Sequence, residues 1–262
     1  MPEQDRRILL WPQGTAPDSD ICASQEQPSL IPYPAAGSAN AVIVCPGGGY
    51  GILVMREGLP IAEMLNRAGI AAYVLCYRVN PFTSADTPIG DAQRAIRLLR
   101  SMGYEKVGIM GFSAGGHLVA MTAVHYDAGN AEDADPVERF SSRPDAFASC
   151  YGATGEAQYA DPWWRKQLWG IAGETGVSHR RYCAENNVTP ETPPAFIWQT
   201  ADDPTVPVEN AFALARALGE NAVPYALHVF THGPHGMGLA ETYPELSVWP
   251  KLFTDWLHER GF

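Results

Sequence analysis

A serine stands in the middle of the segment Val107–His117, Val-Gly-Ile-Met-Gly-Phe-Ser-Ala-Gly-Gly-His. The apolar run Lys106–Met110 predicts a buried strand, and the residues from Gly116 to about Tyr126 predict a helix. Ser113 lies on the turn between them, in the pattern Gly-x-Ser-x-Gly, whose glycines let strand and helix approach closely. The pattern also occurs in turns without chemical function. Ser113 is therefore a candidate nucleophile if the chain also supplies oxyanion donors, an acid and a base.

A run of three glycines, Gly47–Gly49, follows the apolar stretch Ala41–Cys45, which predicts a strand buried on both faces. No side chain shields the backbone N–H groups of such a run, so they can stabilise the oxyanion of a tetrahedral intermediate. A tight turn is the alternative, but a turn rarely needs three glycines. We predict an oxyanion hole formed by the N–H groups of Gly48, Gly49 and Ala114.

Two adjacent acids, Asp202 and Asp203, come shortly after the apolar run Pro194–Gln199. A carboxylate at that place can orient an imidazole and stabilise its charged form. Two neighbouring acids cannot both point at one histidine, so we expect the other to cap the turn or the following helix. The residue types alone leave open which of the two faces the site.

Two histidines, His232 and His235, lie in a glycine-rich loop after the predicted strand Tyr225–Phe230. A histidine in such a loop can reach across the strand ends to Ser113 and act as a general base. The chain order serine, acid, histidine is one that serine sites on a strand–turn–helix use. Together, the four clusters predict nucleophilic acyl transfer.

Apolar runs alternate with helical patterns along most of the chain, which predicts βαβ units. The expected fold is α/β, with a mostly parallel central sheet and helices on both of its faces. Ligands of such sheets bind outside the carboxyl ends of the strands, where the four clusters fall. The predicted strands are 41–45, 70–77, 106–110, 146–151, 194–199 and 225–230, and the predicted helices are 60–68, one from residue 91, 116–126, 207–218 and 246–257.

The remaining segments complete this arrangement. Arg7–Trp11 and Leu30–Tyr33 predict an antiparallel edge, and Asp91 fits an N-terminal helix cap. The interval 152–192 shows no clear alternation and is too long for an ordinary loop, so we expect a small insertion with its own helices. We predict a single domain over residues 1–262.

Composition narrows the classes of partner. The chain has 262 residues and a formal net charge of −11, which argues against nucleic acid or an anionic membrane surface as a partner. Of its five cysteines, none forms a Cys-x-x-Cys pair, and Cys45, Cys76 and Cys150 lie in apolar runs. We expect buried, reduced thiols and no metal site. No stretch is typical of a secretion signal or a membrane span, so we expect a cytoplasmic protein.

From about Ala41 to its C-terminus, the chain resembles the α/β-hydrolase superfamily, and within it the bacterial esterases related to acetylxylan esterases and the hormone-sensitive-lipase type. Gly-Phe-Ser-Ala-Gly-Gly-His matches the nucleophile elbow of that family, which implies that Ser113 is the nucleophile. Cys-Pro-Gly-Gly-Gly-Tyr is similar to its His-Gly-Gly-Gly motif. Pro46 stands where the family has the histidine, a difference that leaves the backbone donors intact.

The resemblance also chooses between neighbouring candidates. Thr-Ala-Asp-Asp-Pro-Thr-Val-Pro resembles the family's Asp-x-x-Val-Pro loop, which implies Asp203 rather than Asp202. Pro-His-Gly matches the family's His-Gly, which implies that His235 is the base and His232 a loop residue. The implied reaction releases a short acyl group, often acetyl, from a sugar hydroxyl, with neither cofactor nor metal.

Weaker candidates surround this set. Tyr50 could line the acyl site, Glu57 could anchor the loop before the first helix, and His117 is more often a packed or capping residue. Aromatic rings stack on sugars, so one of three tryptophans in the insertion could line the cleft, although tryptophans usually serve packing; these are Trp163, Trp164 and Trp169.

The sequence therefore predicts a serine esterase that removes acetyl groups from xylo-oligosaccharides or related sugars. A peptidase or amidase of the same fold is the first alternative, although such enzymes usually carry a large extra domain. A non-catalytic binding protein on a hydrolase scaffold is the second, although such proteins typically lose the serine or the histidine. The sequence leaves open whether the protein is a monomer or a homo-oligomer.

Overall fold

The structure, a computed structural model, describes residues 7–18, 20, 27–82, 84–169 and 179–262. Within these ranges the predicted strands assemble into one eight-stranded sheet. The strands are β1 (Ile8–Leu9), β2 (Ser29–Tyr33), β3 (Asn40–Cys45), β4 (Ala71–Cys76), β5 (Lys106–Phe112), β6 (Ala146–Cys150), β7 (Ala195–Thr200) and β8 (Tyr225–Phe230).

The strand order across the sheet is β1-β2-β4-β3-β5-β6-β7-β8. The strands from β4 to β8 along this order pair in parallel, whereas β1 and β2 pair antiparallel at one edge. The prediction of an α/β fold with a mostly parallel sheet and an antiparallel edge is thus confirmed. Because parallel strands end at the same side, the residues that follow β3, β5, β6, β7 and β8 meet there.

Helices cover both faces of the sheet, and side-chain alternation along the strands divides the core between them. On β3, Ile43 belongs to one buried cluster and Val42 and Val44 belong to the other. The helices are α1 (Leu59–Arg67), α2 (Asp86–Ser101), α3 (Ala114–Val124), α4 (Pro162–Trp169), α5 (Glu209–Glu220) and α6 (Trp249–His258). The first cluster includes residues of α2, α3 and α5, and the second includes residues of α1 and α6.

The start of α2 differs from the prediction. The helix begins at Asp86 rather than Asp91, because Pro88 falls in its first turn, where backbone N–H groups have no intrahelical acceptor. Asp91 is therefore not a cap: it is fully buried inside the helix, and its carboxylate pairs with the Arg78 guanidinium at 2.6 Å. Burial raises the pKa of the Asp91 carboxyl, and the hydrogen bonds and charge of Arg78 oppose that shift.

The insertion near 152–192 contains short helices, as expected. Besides α4, the structure describes single helical turns at Glu156–Ala160, His179–Tyr182 and Ala184–Asn186, and residues 170–178 lie outside the described ranges. The cysteines that the structure describes are buried, as predicted for Cys45, Cys76 and Cys150. None of the helices in the described ranges has the length and apolar character needed to cross a membrane.

Candidate active site

Ser113 occupies a sharp turn between β5 and α3. Its φ of 53° and ψ of −115° are unusual for a residue with a side chain, and its N–H donates to the Cys150 carbonyl at 3.0 Å. A Cβ at Gly111 would come within 2.2 Å of the Gly115 oxygen, and one at Gly115 within 2.2 Å of the Cys45 oxygen. The flanking glycines are therefore required by the close approach of helix and strands.

A hydrogen-bonded line joins Ser113, His235 and Asp203. The Ser113 Oγ lies 2.7 Å from the Nε2 of His235, and the Nδ1 of His235 lies 2.8 Å from the Oδ2 of Asp203. The Asp203 side chain is 1% exposed, and its Oδ1 accepts the N–H groups of Thr205 at 2.8 Å and Val206 at 2.9 Å. An ionised carboxylate can only accept, so Nδ1 donates and Nε2 is left to take the serine proton.

Asp202 and His232 form a separate pair at the surface. The Asp202 Oδ2 lies 2.9 Å from the His232 Nδ1, and its Oδ1 accepts the Gly233 N–H at 2.9 Å. Both side chains are more than half exposed. The hydrogen bond from His232, followed by that from Gly233, lowers the pKa of the Asp202 carboxyl. This pair fixes the two loops to each other and does not contact Ser113.

The glycine loop after β3 lies beside Ser113. Gly48 has φ +130° and Gly49 has φ +61°, and a Cβ at Gly48 would come within 2.1 Å of the Ile52 oxygen. Both glycines line the same cavity as Ser113, and within the described ranges neither N–H donates to a protein acceptor. Ala114 is the first residue of α3, where helix N–H groups lack intrahelical acceptors. Gly48 and Gly49 thus line the cavity beside Ser113, and Ala114 directly follows it.

The cavity in front of Ser113 has a volume of about 270 Å³. The Trp163 ring crosses over Gly49, where an added Cβ would meet its Cη2 at 2.5 Å, and 55% of Trp163 is exposed at the cavity mouth. Trp164 forms a buried part of the wall, and nothing is described of the Trp169 side chain. The lining residues are Gly48, Gly49, Val54, Arg56, Glu57, Ser113, Gln158, Asp161, Trp163, Trp164, Thr205, Val206, His235 and Gly236.

The structure does not place Tyr50 or His117 on this cavity. Both are fully buried, with the Tyr50 hydroxyl 2.8 Å from the Nδ1 of His117. The Nε2 of His117 donates to the Tyr182 carbonyl at 2.9 Å, so Nδ1 must accept from Tyr50. Burial lowers the pKa of His117 to about 4. Tyr50 packs behind Trp164, with ring centroids 5.9 Å apart, and supports the wall instead of lining it.

Sequence reasoning missed two residues beside the site. Tyr151 packs its ring 5.1 Å from that of His235, and Arg56 reaches the cavity wall. A signal for Tyr151 was present, because it directly follows β6 at the edge where ligands bind. No residue pattern points to Arg56. Glu57, predicted to anchor the loop before α1, accepts the Gly47 N–H at 2.9 Å and so holds the glycine loop.

The chain is similar in sequence to proteins of a known family. A family model described as BD-FAE matches residues 30–218. The chain is 38% identical over 216 residues to an endo-1,4-beta-xylanase B of Butyrivibrio fibrisolvens, covering 77% of this chain and 33% of that protein. It is 33% identical over 218 residues to an acetylxylan esterase of Xylanibacter ruminicola, covering 78% of this chain and 42% of that protein. The chain thus spans less than half of either curated relative.

Among solved structures, the fold is similar to that of an acetyl ester-xyloside bifunctional hydrolase from Caldicellulosiruptor lactoaceticus. The TM-score is 0.91 at 39% sequence identity, and the match covers 98% of this chain and 96% of that one. This likeness therefore extends over nearly the whole of both chains.

Proposed function

The chain belongs to the BD-FAE family, and from that premise we propose that it is a carboxylic ester hydrolase with a Ser113–His235–Asp203 catalytic triad. One observation carries the proposal: the continuous line from Ser113 Oγ to His235 Nε2 at 2.7 Å, and from His235 Nδ1 to Asp203 Oδ2 at 2.8 Å. This geometry is already suited to proton transfer, because heavy-atom distances of about 2.6–3.2 Å are what a general base needs.

In the proposed reaction, His235 removes the Ser113 proton as the serine oxygen attacks the ester carbonyl. Asp203 holds the imidazole in the required tautomer and stabilises its charged form. His235 then gives the proton to the leaving alcohol, and an acyl-enzyme remains on Ser113. Water, deprotonated by His235, attacks the acyl-enzyme and releases the carboxylic acid.

The negative oxygen of each tetrahedral intermediate is assigned to the N–H groups of Gly48, Gly49 and Ala114. Gly48 and Gly49 support this assignment because both residues line the cavity and neither N–H has a protein acceptor in the described ranges. The N-terminus of α3 adds its positive end beside Ser113. Removing one donor from an oxyanion hole typically costs about 3–4 kcal/mol of transition-state stabilisation.

We further propose that the acyl group is acetyl and that the alcohol is a sugar, as in acetylated xylo-oligosaccharides. The cavity of about 270 Å³ favours a short acyl group, because sites for drug-sized ligands begin at about 300 Å³. The exposed Trp163 ring at its mouth offers a flat face to a sugar. One relative is described as an acetylxylan esterase and one similar solved structure as an acetyl ester-xyloside bifunctional hydrolase, which supports an acetylated sugar as the substrate.

Acetate release from acetylated xylo-oligosaccharides tests the proposal. We expect release by the wild-type protein and none above background by Ser113→Ala. Ser101→Ala is the matched control, because that serine is exposed at the end of α2, and it should retain wild-type activity. A matching p-nitroanilide substrate should react far more slowly than the p-nitrophenyl ester. Acetate release by Ser113→Ala at the wild-type rate would exclude the triad.

A further inference from the structure

Two buried polar side chains at the site, Glu57 and Tyr151, take no part in the proposed proton transfers. They are 2% and 1% exposed. In the described ranges no lysine or arginine pairs with Glu57, and each of its carboxylate oxygens instead accepts one hydrogen bond. A buried carboxylate without a cation depends on such bonds, so both of its donors should be costly to remove.

One of these bonds holds the glycine loop. The Glu57 Oε2 accepts the Gly47 N–H at 2.9 Å and would lie 2.5 Å from a Cβ at Gly47. The carboxylate is thus packed directly against the residue that precedes Gly48 and Gly49. Any shift of Glu57 therefore moves the start of the segment that carries two of the three assigned oxyanion donors.

The other bond leads to the loop that carries the base. The Tyr151 hydroxyl donates to the Glu57 Oε1 at 2.7 Å and accepts the Gly238 N–H at 3.0 Å. Gly238 follows His235 by three positions, and the Tyr151 ring itself packs 5.1 Å from the His235 ring. Burial raises the pKa of Tyr151 well above its usual value, and Glu57 adds to that shift, so the phenol keeps the proton that it donates.

We propose that Glu57 and Tyr151 are positioning residues of the esterase reaction. Their hydrogen bond joins the glycine loop to the histidine loop, so that the oxyanion donors and the imidazole stay in register on either side of Ser113. This inference rests on the proposed function. Because a misplacement of about 1 Å can cost on the order of 100-fold in rate, the bridge acts on turnover rather than on substrate affinity.

Tyr151→Phe tests the bridge with the ring kept in place. We expect kcat for p-nitrophenyl acetate to fall on the order of tenfold to a hundredfold, with KM changed less than about threefold. Glu57→Gln should show the same split, because its amide nitrogen replaces one of the two accepting oxygens and cannot accept a hydrogen bond. Tyr73→Phe is the matched control: it removes another buried hydroxyl, 2.8 Å from that of Tyr104, and should keep wild-type kcat.

The double variant of Glu57→Gln and Tyr151→Phe distinguishes two cases: one in which the residues act through a single shared connection, and one in which each supports the site independently. If the two residues act through one connection, the double variant loses about as much kcat as the worse single variant. Losses in kcat that multiply would contradict the bridge. If folded Tyr151→Phe and Tyr73→Phe have equal kcat, the bridge is overturned. The proposed function would still stand in that case, provided that Ser113→Ala is inactive.

Two further measurements keep the test decisive. Circular dichroism shows whether each variant is folded. If Tyr151→Phe does not fold, the kcat of Glu57→Gln is compared with that of Tyr73→Phe instead. The rate of fluorophosphonate labelling of Ser113 gives a second readout of the same geometry. If the wild-type protein hydrolyses no acetyl ester, the proposed function fails, and unchanged labelling rates in the two variants would overturn the bridge separately.

Discussion

Replacing Asp203 by asparagine tests the proposed proton transfer, because it changes the group that faces the Nδ1 of His235. The Asp203 Oδ1 accepts the N–H groups of Thr205 and Val206, so in the variant the amide oxygen must take that place. The amide nitrogen then faces the Nδ1 of His235. Since that nitrogen donates, Nδ1 must accept and Nε2 must carry the proton, which removes the acceptor for the Ser113 hydroxyl.

The magnitude follows from this change of tautomer. The same exchange in a well-studied serine protease costs on the order of 10⁴-fold in kcat, which corresponds to roughly 5 kcal/mol. We expect a loss of that order for Asp203→Asn with the fold intact. Asp202→Asn is the matched control: that side chain is exposed and pairs with His232, so kcat should change less than about twofold.

The kcat of both variants is determined from initial rates on p-nitrophenyl acetate at pH 7 to 8, after subtraction of spontaneous hydrolysis. The rates are normalised to the fraction of protein that is folded by circular dichroism. An equal loss in the two variants, or a larger loss in Asp202→Asn, would refute the assignment of Asp203 and with it the argument from the two N–H donors. Partial rescue of Asp203→Asn at higher pH would not affect the ranking.

Three further predictions concern other parts of the molecule. Gly49→Ala places a Cβ 2.5 Å from the Trp163 ring at a φ of +61°, so acetate release should fall at least about tenfold, measured as kcat/KM. Asp91→Asn removes the carboxylate charge that pairs with the buried Arg78 guanidinium and should lower the free energy of unfolding by about 3–5 kcal/mol, measured by urea denaturation. The pKa of His117 is lowered to about 4 in the folded state, so the unfolded state binds the proton more tightly. The free energy of unfolding should therefore fall as the pH drops from about 6.5 to 4, and urea titrations should show a shallower fall in His117→Gln.

The parallel strands and the turn at Ser113 could be predicted because the information is local. A strand buried on both faces reads as a continuous apolar run, and the elbow needs glycines at fixed offsets. The start of α2 could not be predicted in the same way. Pro88 and Gly90 suggest a break, but Pro88 lies in the first turn, where proline is tolerated, and burial of the apolar face together with the Asp91–Arg78 pair outweighs the cost of Gly90.

Residues that support the site were harder to predict, because their contacts join distant parts of the chain. Tyr151 meets Glu57 across 94 positions and Gly238 across 87. Neither contact leaves a spacing that a single sequence reveals. Trp163 was among three candidate tryptophans, and only the fold of the insertion shows that its ring crosses Gly49. The sequence therefore indicated that a tryptophan could lie at the cavity mouth, but not which of the three it is.

The two Asp–His pairs show why residue type alone could not choose the acid. Asp202–His232 and Asp203–His235 connect the same two loops at nearly equal distances, 2.9 and 2.8 Å. They differ in burial, since the Asp203 side chain is 1% exposed and that of Asp202 is 52% exposed. A carboxylate stabilises a developing imidazolium far more strongly where water is excluded.

The chain selects Asp203 through the residues that follow it. Its Oδ1 accepts the N–H groups two and three positions later, a turn in which the side chain caps its own backbone. That turn directs the carboxylate inward and leaves Oδ2 for His235. The spacing from Asp203 to Val206-Pro207 therefore reflects a turn that positions the proposed acid, Asp203, against the proposed base, His235.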